Sequence, residues 1–294
     1  MKLKRPISVQ VYAWLLLLPA LVLMVAFTHY PIVGGFIASF FSTGREGRAS
    51  KFIGLENYSS MIADPVFWQV LQNNLIYALG VIPISVILAI FMAVCVNGRL
   101  PGRSIVRTAY FTPTILPMIA VANIWLFFYT PQIGLLDQIR GLFNIPSHSW
   151  LGDTSTALGC MMVLAIWKDA GFFMIFFLAA LQGIPPELEE AALIEGAGRW
   201  YYFRRVTLPL LMPTMLFVLV NATINSFKLV DHIFILTKGG PDNASSLLLY
   251  YIWEVAFGFW DTAYASTLTV VLLVILCLAA ITQFRYMEKR VHYQ

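Results

Sequence analysis

Residues 65–98 read PVFWQVLQNNLIYALGVIPISVILAIFMAVCVNG, a run without a single Asp, Glu, Lys or Arg. A helix needs about 20 apolar residues to cross the hydrocarbon core of a bilayer, and this stretch is long enough. Four other runs, 6–44, 108–136, 206–227 and 262–284, are equally free of charge, and a sixth, 154–186, is broken only by Lys168 and Asp169. A soluble protein would need six such helices buried in one chain. The fold class is therefore all-α, a polytopic membrane protein with six spans at about 11–36, 75–97, 108–129, 157–181, 208–236 and 263–284. The composition agrees: 59% of the 294 residues are hydrophobic and 12% charged, against about 25% charged in soluble domains.

Lys2, Lys4 and Arg5 ahead of an apolar run have the pattern of a cleaved signal. The run continues to about residue 27 and on to 41, so the expectation is a retained first span. Cys95, Cys160 and Cys277 all lie in apolar segments and read as small hydrophobes. They have neither disulfide nor metal spacing, and His29, His148, His232 and His292 are scattered.

Basic residues set the expected orientation. Lys2, Lys4, Arg5, Arg99, Arg103, Arg107, Arg199, Arg204, Arg205, Arg285, Lys289 and Arg290 occupy alternate gaps and the two ends, whereas the opposite gaps hold Arg45, Arg48, Lys51, Arg140 and Lys238. Basic flanks stay in the cytoplasm. Both termini are expected there, in a bacterial inner membrane. The expected organisation is a cytoplasmic N-terminus (1–10), a single transmembrane domain (11–285) and a cytoplasmic tail (286–294). An external loop falls at about 41–66 and a cytoplasmic loop at about 183–207. Pro113 and Pro117 in the third span, and Pro209 and Pro213 in the fifth, should kink their helices. At membrane depth the freed carbonyls must meet protein or a water-filled cavity.

The cytoplasmic loop is rich in signals. Pro186 with Glu187 behind it starts a helix, and Leu188, Ala191, Ala192 and Glu195 follow at helical spacing. Gly196 and Gly198 can end it with positive φ. A second short helix is expected over 199–206. Small Ala191 and Ala192 permit close approach of another protein, and the glutamates offer acceptors to its cations. An amphipathic loop without a partner would read the same way, and these residues alone leave both open.

The run Glu190-Ala191-Ala192 with Gly196, closed by Leu208-Pro209, resembles the "EAA" loop of binding-protein-dependent ABC importers. Leu236-Thr237-Lys238-Gly239-Gly240-Pro241 is similar to an external loop of the maltose-type and glycerol-phosphate-type permeases. Phe52-Ile53-Gly54-Leu55-Glu56-Asn57-Tyr58 is similar to the first external loop of that carbohydrate-uptake branch. Glu195 stands where the family more often has Asp, with the charge kept. The resemblance implies a type I importer permease fold whose coupling residues would be Glu190, Ala191, Ala192, Gly196 and Gly198, seated in a cleft of an ATP-binding subunit. It implies a second homologous permease, two ATP-binding subunits, an extracytoplasmic solute-binding protein and a sugar or sugar-like cargo, a polyol phosphate included. The chain has no phosphate-binding Gly-x4-Gly-Lys-Ser/Thr loop. No cofactor is expected here, and ATP and Mg would be bound by the partner. No catalytic spacing suggests an enzyme and no basic patch suggests nucleic acid. The alternative is a stand-alone secondary transporter or channel for a small polar solute, which gives no account of the loop.

A second constellation lies within the membrane. Asn221, Asn225, Lys228 and His232 are spaced +4, +3 and +4, which at about 100° per residue puts them within roughly 60° of arc. Asp231, three residues after Lys228, can pair with that cation. Lys168 beside Asp169 is a second polar place. Such groups face a bundle interior or water, or act as glue between helices. A substrate path through Asn221, Asn225, Lys228, Asp231, His232, Lys168 and Asp169 is one reading and packing is the other.

Overall fold

The structure, a computed structural model, describes residues 7–44, 49–98 and 102–288. Of the residues expected to set orientation, Lys2, Lys4, Arg5, Arg45, Arg48, Arg99, Lys289 and Arg290 lie outside those, as does His292. The chain divides into two compact units, residues 1–63 with 252–271 and residues 64–251 with 272–294.

In the first unit, α1 (Ile7–Met24) passes through a π-helical turn (Val25–His29) into α2 (Tyr30–Ala38). The wider turn lies just ahead of Pro31, which cannot donate to the helical ladder. Together they give one apolar stretch, Val11–Ala38. The segment 52–58 has a structural task here. Asn57 in α3 (Glu56–Ala63) donates from Nδ2 to the carbonyls of Ser39 and Phe41, both at 2.9 Å, and Tyr58 Oη meets Ser39 Oγ at 2.8 Å. These bonds satisfy carbonyls at the helix end that would otherwise be orphaned.

The second unit is built on α4 (Pro65–Asn97), whose N-terminus is capped by Asp64 accepting from Val66 N at 2.9 Å. Two shorter helices follow, α5 (Arg103–Ile115) and α6 (Met118–Tyr129), then α7 (Leu135–Leu142) and the long α8 (Ala157–Gln182). The core forms where α4 and α8 pack along their lengths, with Ala89, Ala93 and Val96 against Phe173, Phe177 and Leu181. Small residues on one helix opposite large ones on the other allow close approach without voids. Beyond α8 come α9 (Pro186–Ile194), α10 (Arg199–Tyr202), a π-helical turn (Phe203–Thr207), α11 (Leu208–Leu210), α12 (Met212–Phe227) and α13 (Asp231–Leu236). The helices α14 (Leu248–Trp253) and α15 (Thr262–Glu288) complete the order.

Among the described residues, five stretches are long and apolar enough to cross a membrane, and a sixth is bent. The expected third span, 108–129, departs most from expectation. It breaks at Leu116-Pro117, and α5 and α6 meet at 100°. Pro117 forces Leu116 into extended backbone (ψ 135°), which ends α5 there. The expected fifth span, 208–236, is also interrupted, between Phe227 and Asp231. Gly171 lets α5 cross α8, since a Cβ there would lie 2.1 Å from the Tyr110 carbonyl oxygen.

Candidate functional site

The α9–α10 segment sits at one end of the second unit. Pro186 occupies its first turn with Glu187 and Glu189, where acidic groups complement the helix dipole. The helix ends in a full Schellman motif: Ala197 N donates to Ala192 O (2.9 Å) and Gly196 N to Leu193 O (3.1 Å), with Gly196 at φ +72°. Gly198 departs from expectation. It is extended (φ −67°, ψ 153°) and caps α10, so only Gly196 needs left-handed backbone. The second helix also departs from 199–206, because it continues without a gap into the π-helical turn and α11.

No residue of α9 is buried within the chain. Glu190 and Ala191 are exposed, Ala192 half-buried, and Leu193 and Ile194 are 64% and 87% exposed. Behind α9 runs a groove of about 770 Å³ lined by Asn97, Glu189, Glu190, Arg199 and Tyr202. Burial pushes the Tyr202 phenol up in pKa, and the Glu189 carboxylate pushes it the same way. The element thus offers apolar and acidic side chains, none of them buried among the described residues.

The intramembrane residues fall into separate settings. Lys168 on α8 donates from Nζ to the carbonyls of Leu116 (2.6 Å), Pro113 (2.9 Å) and Thr114 (3.5 Å). It therefore caps the broken end of α5, which supplies the partner that freed carbonyls require at this depth. Of the two expectations for Lys168, these contacts favour packing. Its neighbour Asp169 is half-buried, near enough to Tyr77 to interact electrostatically.

The stripe of four does not survive the interruption of the fifth span. Asn221 turns back on its own helix, donating to Phe217 O at 2.8 Å, and Asn225 is half-buried. Lys228 is exposed, its backbone (φ −97°, ψ 18°) closing α12. Asp231 is exposed at the start of α13, and no ion pair joins it to Lys228. His232 faces into the bundle, fully buried, 6.2 Å between ring centres from Tyr77. The expected pairing and the expected place of His232 on the stripe are both corrected, because the helical register assumed across 228–230 is broken.

The Gly-Gly-Pro segment lies at the opposite end of α8 from α9. Gly239 has φ +80° and the Gly240–Pro241 peptide is cis. Ser245 Oγ donates to Gly240 O (2.6 Å), Gln69 Nε2 to Asp242 O (2.7 Å) and Asn73 Nδ2 to Asn243 O (2.8 Å). Just below, the buried Asn74 accepts from Leu248 N (3.1 Å) and donates to Ser226 O (3.2 Å). The sequence reading missed Gln69, Asn73 and Asn74. Their signal was present: a cluster of amides within two turns of an otherwise apolar helix.

A family model described as the binding-protein-dependent transport system inner membrane component matches residues 85–293. The lactose transport system permease protein LacF of Rhizobium radiobacter is 32% identical over 287 residues, covering 95% of each chain. The sn-glycerol-3-phosphate transport system permease protein UgpA of Pectobacterium atrosepticum is 28% identical over 287 residues, covering 96% of this chain and 95% of that protein. Among solved structures, a chain of a bacterial alginate ABC transporter, in complex with a periplasmic protein bound to alginate pentasaccharide, superposes with TM-score 0.86. It is 21% identical, over 97% of this chain and 96% of that one.

Proposed function

Because the chain belongs to the family of binding-protein-dependent transport system inner membrane components, we propose that it is one permease subunit of an ATP-driven importer for a sugar or sugar-like solute. A second homologous permease completes the path, two ATP-binding subunits supply hydrolysis, and a solute-binding protein delivers cargo outside. Both termini and α9 face the cytoplasm, in keeping with the basic residues beside α9 and at the chain ends. The names of the lactose and glycerol-phosphate relatives support the cargo class.

The observation that carries this reading is α9 itself: a capped, well-formed helix whose Leu193 and Ile194 are largely exposed. Exposed apolar groups on a rigid element between two spans fit a partner's cleft. Asn225, Lys228 and Asp231 keep exposed or half-exposed positions and are the residues proposed to meet cargo. Lys168 and His232 serve packing.

The test pairs uptake with association. Ile194→Asp and Glu190→Lys should abolish uptake of labelled lactose or glycerol 3-phosphate and remove the ATP-binding subunit from a detergent pull-down, while membrane insertion is retained. Full uptake and full association in both variants would overturn the assignment of α9 as the coupling element.

A further inference from the structure

At the end of the second unit opposite α9, α7 has its charges turned inward. Asp137 is 7% exposed and accepts from Gln132 N (2.8 Å), Trp150 Nε1 (3.0 Å), the Ser147 hydroxyl and His148 N. Arg140 donates through Nε and an Nη to Pro146 O (3.1 and 2.8 Å), with its guanidinium 5.3 Å from the Trp150 ring centre. Both charges of the helix are therefore spent on the loop 146–150 that α7 packs over.

The other face is apolar. At about 100° per residue, Leu135, Ile139 and Leu142 fall within roughly 60° of arc, nearly opposite Asp137. They are 44%, 44% and 82% exposed, and Phe143 beside them is 71% exposed. A helix in water shows the reverse arrangement, with charges outward.

The height of this face is set by Gly134. A Cβ there would lie 2.5–2.6 Å from the carbonyl oxygens of Phe127, Phe128 and Thr130, so Gly134 is seated on the last turn of α6. Its N–H also donates to Thr130 O at 2.9 Å. Hence α7 starts directly where an apolar arm ends, and that arm exposes Phe127 (56%) at its final turn. The uncovered stripe continues the exposed apolar surface of α6.

We propose that α7 is an interfacial helix whose Leu135, Ile139, Leu142 and Phe143 enter the acyl–headgroup boundary of the leaflet at that end, docking the α7–loop unit onto lipid. The occupant is lipid because the stripe is continuous with a span, carries no charge, and lies where the chain leaves the hydrocarbon. Such helices bury their apolar face about 5–10 Å into the interface. The inference needs the chain to span a membrane but does not depend on its cargo or on the ATP-binding partner.

The experiment uses the full chain, assembled with its transporter partners but without solute-binding protein, in phosphatidylcholine vesicles. Cys95, Cys160 and Cys277 are replaced by Ala. Single cysteines at Ile139, Leu142 and the exposed loop residue Ser155 carry a bimane fluorophore. Shallow doxyl lipid should quench the Ile139→Cys and Leu142→Cys labels about threefold more than the Ser155→Cys label, at the depth expected for an interfacial helix, and aqueous iodide should show the reverse order. Stripe labels quenched by iodide as strongly as Ser155 would overturn the proposal, because the face would lie in water. Stripe labels protected from both quenchers would also overturn it, because the cover would be protein: the second permease or a subunit bound outside.

Discussion

The Gly-Gly-Pro loop and the α9 segment sit at opposite ends of the same helix, and both stand out in the sequence, yet their side chains are used in opposite ways. Around 239–246 the backbone carbonyls of Gly240, Asp242, Asn243 and Ser246 are all bonded by side chains of the same chain, those of Ser245, Gln69 and Asn73. On α9 the backbone is as carefully terminated, but no side chain is buried. A motif that saturates its own hydrogen bonds specifies shape. A motif that holds a rigid backbone and leaves its side chains open is shaped for something else. Substitutions at the first should therefore cost stability, and substitutions at the second should cost function at nearly constant stability.

The sharpest test of the contrast is Asn74→Leu. It leaves the Leu248 N–H and the Ser226 carbonyl without their shared partner in a buried place, and should destabilise the chain by about 2–3 kcal/mol. Denaturant titration in detergent micelles measures this. A loss below about 0.5 kcal/mol, the range of neutral surface changes, would erase the distinction.

A smaller effect separates two glycines. Gly239 and Gly196 both have positive φ, at +80° and +72°. A Cβ on Gly239 would also lie 3.1 Å from the Tyr250 ring and 3.2 Å from Ser246 Cβ, whereas one on Gly196 meets nothing within 4 Å. Gly196→Ala should cost about 1 kcal/mol of backbone strain alone. Gly239→Ala should cost more, about 2 kcal/mol once the neighbours shift. Equal thermal shifts for the two variants would contradict the difference in surroundings.

The smallest effect is in pH. Asp137 has its carboxyl lowered to about 2, first by the Ser147 hydroxyl and then by the Gln132 N–H. With a folded value below the unfolded one, the stabilisation is present above about pH 4 and is lost as pH falls toward 2. Trp150 emission should stay constant from pH 7 to 4 and shift only below that. Asp137→Asn should remove the shift, and a shift centred near pH 6 would contradict the assignment.

Much of this was legible beforehand. Charge-free runs located the helices because excluding Asp, Glu, Lys and Arg is a requirement of the bilayer, independent of tertiary contact. Pro186, Gly196 and the alanines between them marked α9 because capping is local chemistry. The break at Leu116-Pro117 was legible as a kink but not as a right-angled elbow, since what stabilises it is Lys168, 52 residues away. The stripe from Asn221 to His232 failed for the same reason. Periodicity extends a helix across 228–230, while burial of His232 against Tyr77 is decided by a different helix. Amides such as Asn73 were passed over because counting charges does not register them.

The elbow has a mechanical consequence. An ammonium has three protons, and those of Lys168 meet three carbonyls at the end of α5, so α8 is tied to the elbow there. From that pin α8 rises about 21 Å to Gln182 at 1.5 Å per residue, and four residues later α9 begins. The helix between them is a connecting rod, stiff along its axis and joined at both ends. If α9 is the coupling element proposed above, a displacement applied there should be felt at the crook of the broken span, because one helix carries both.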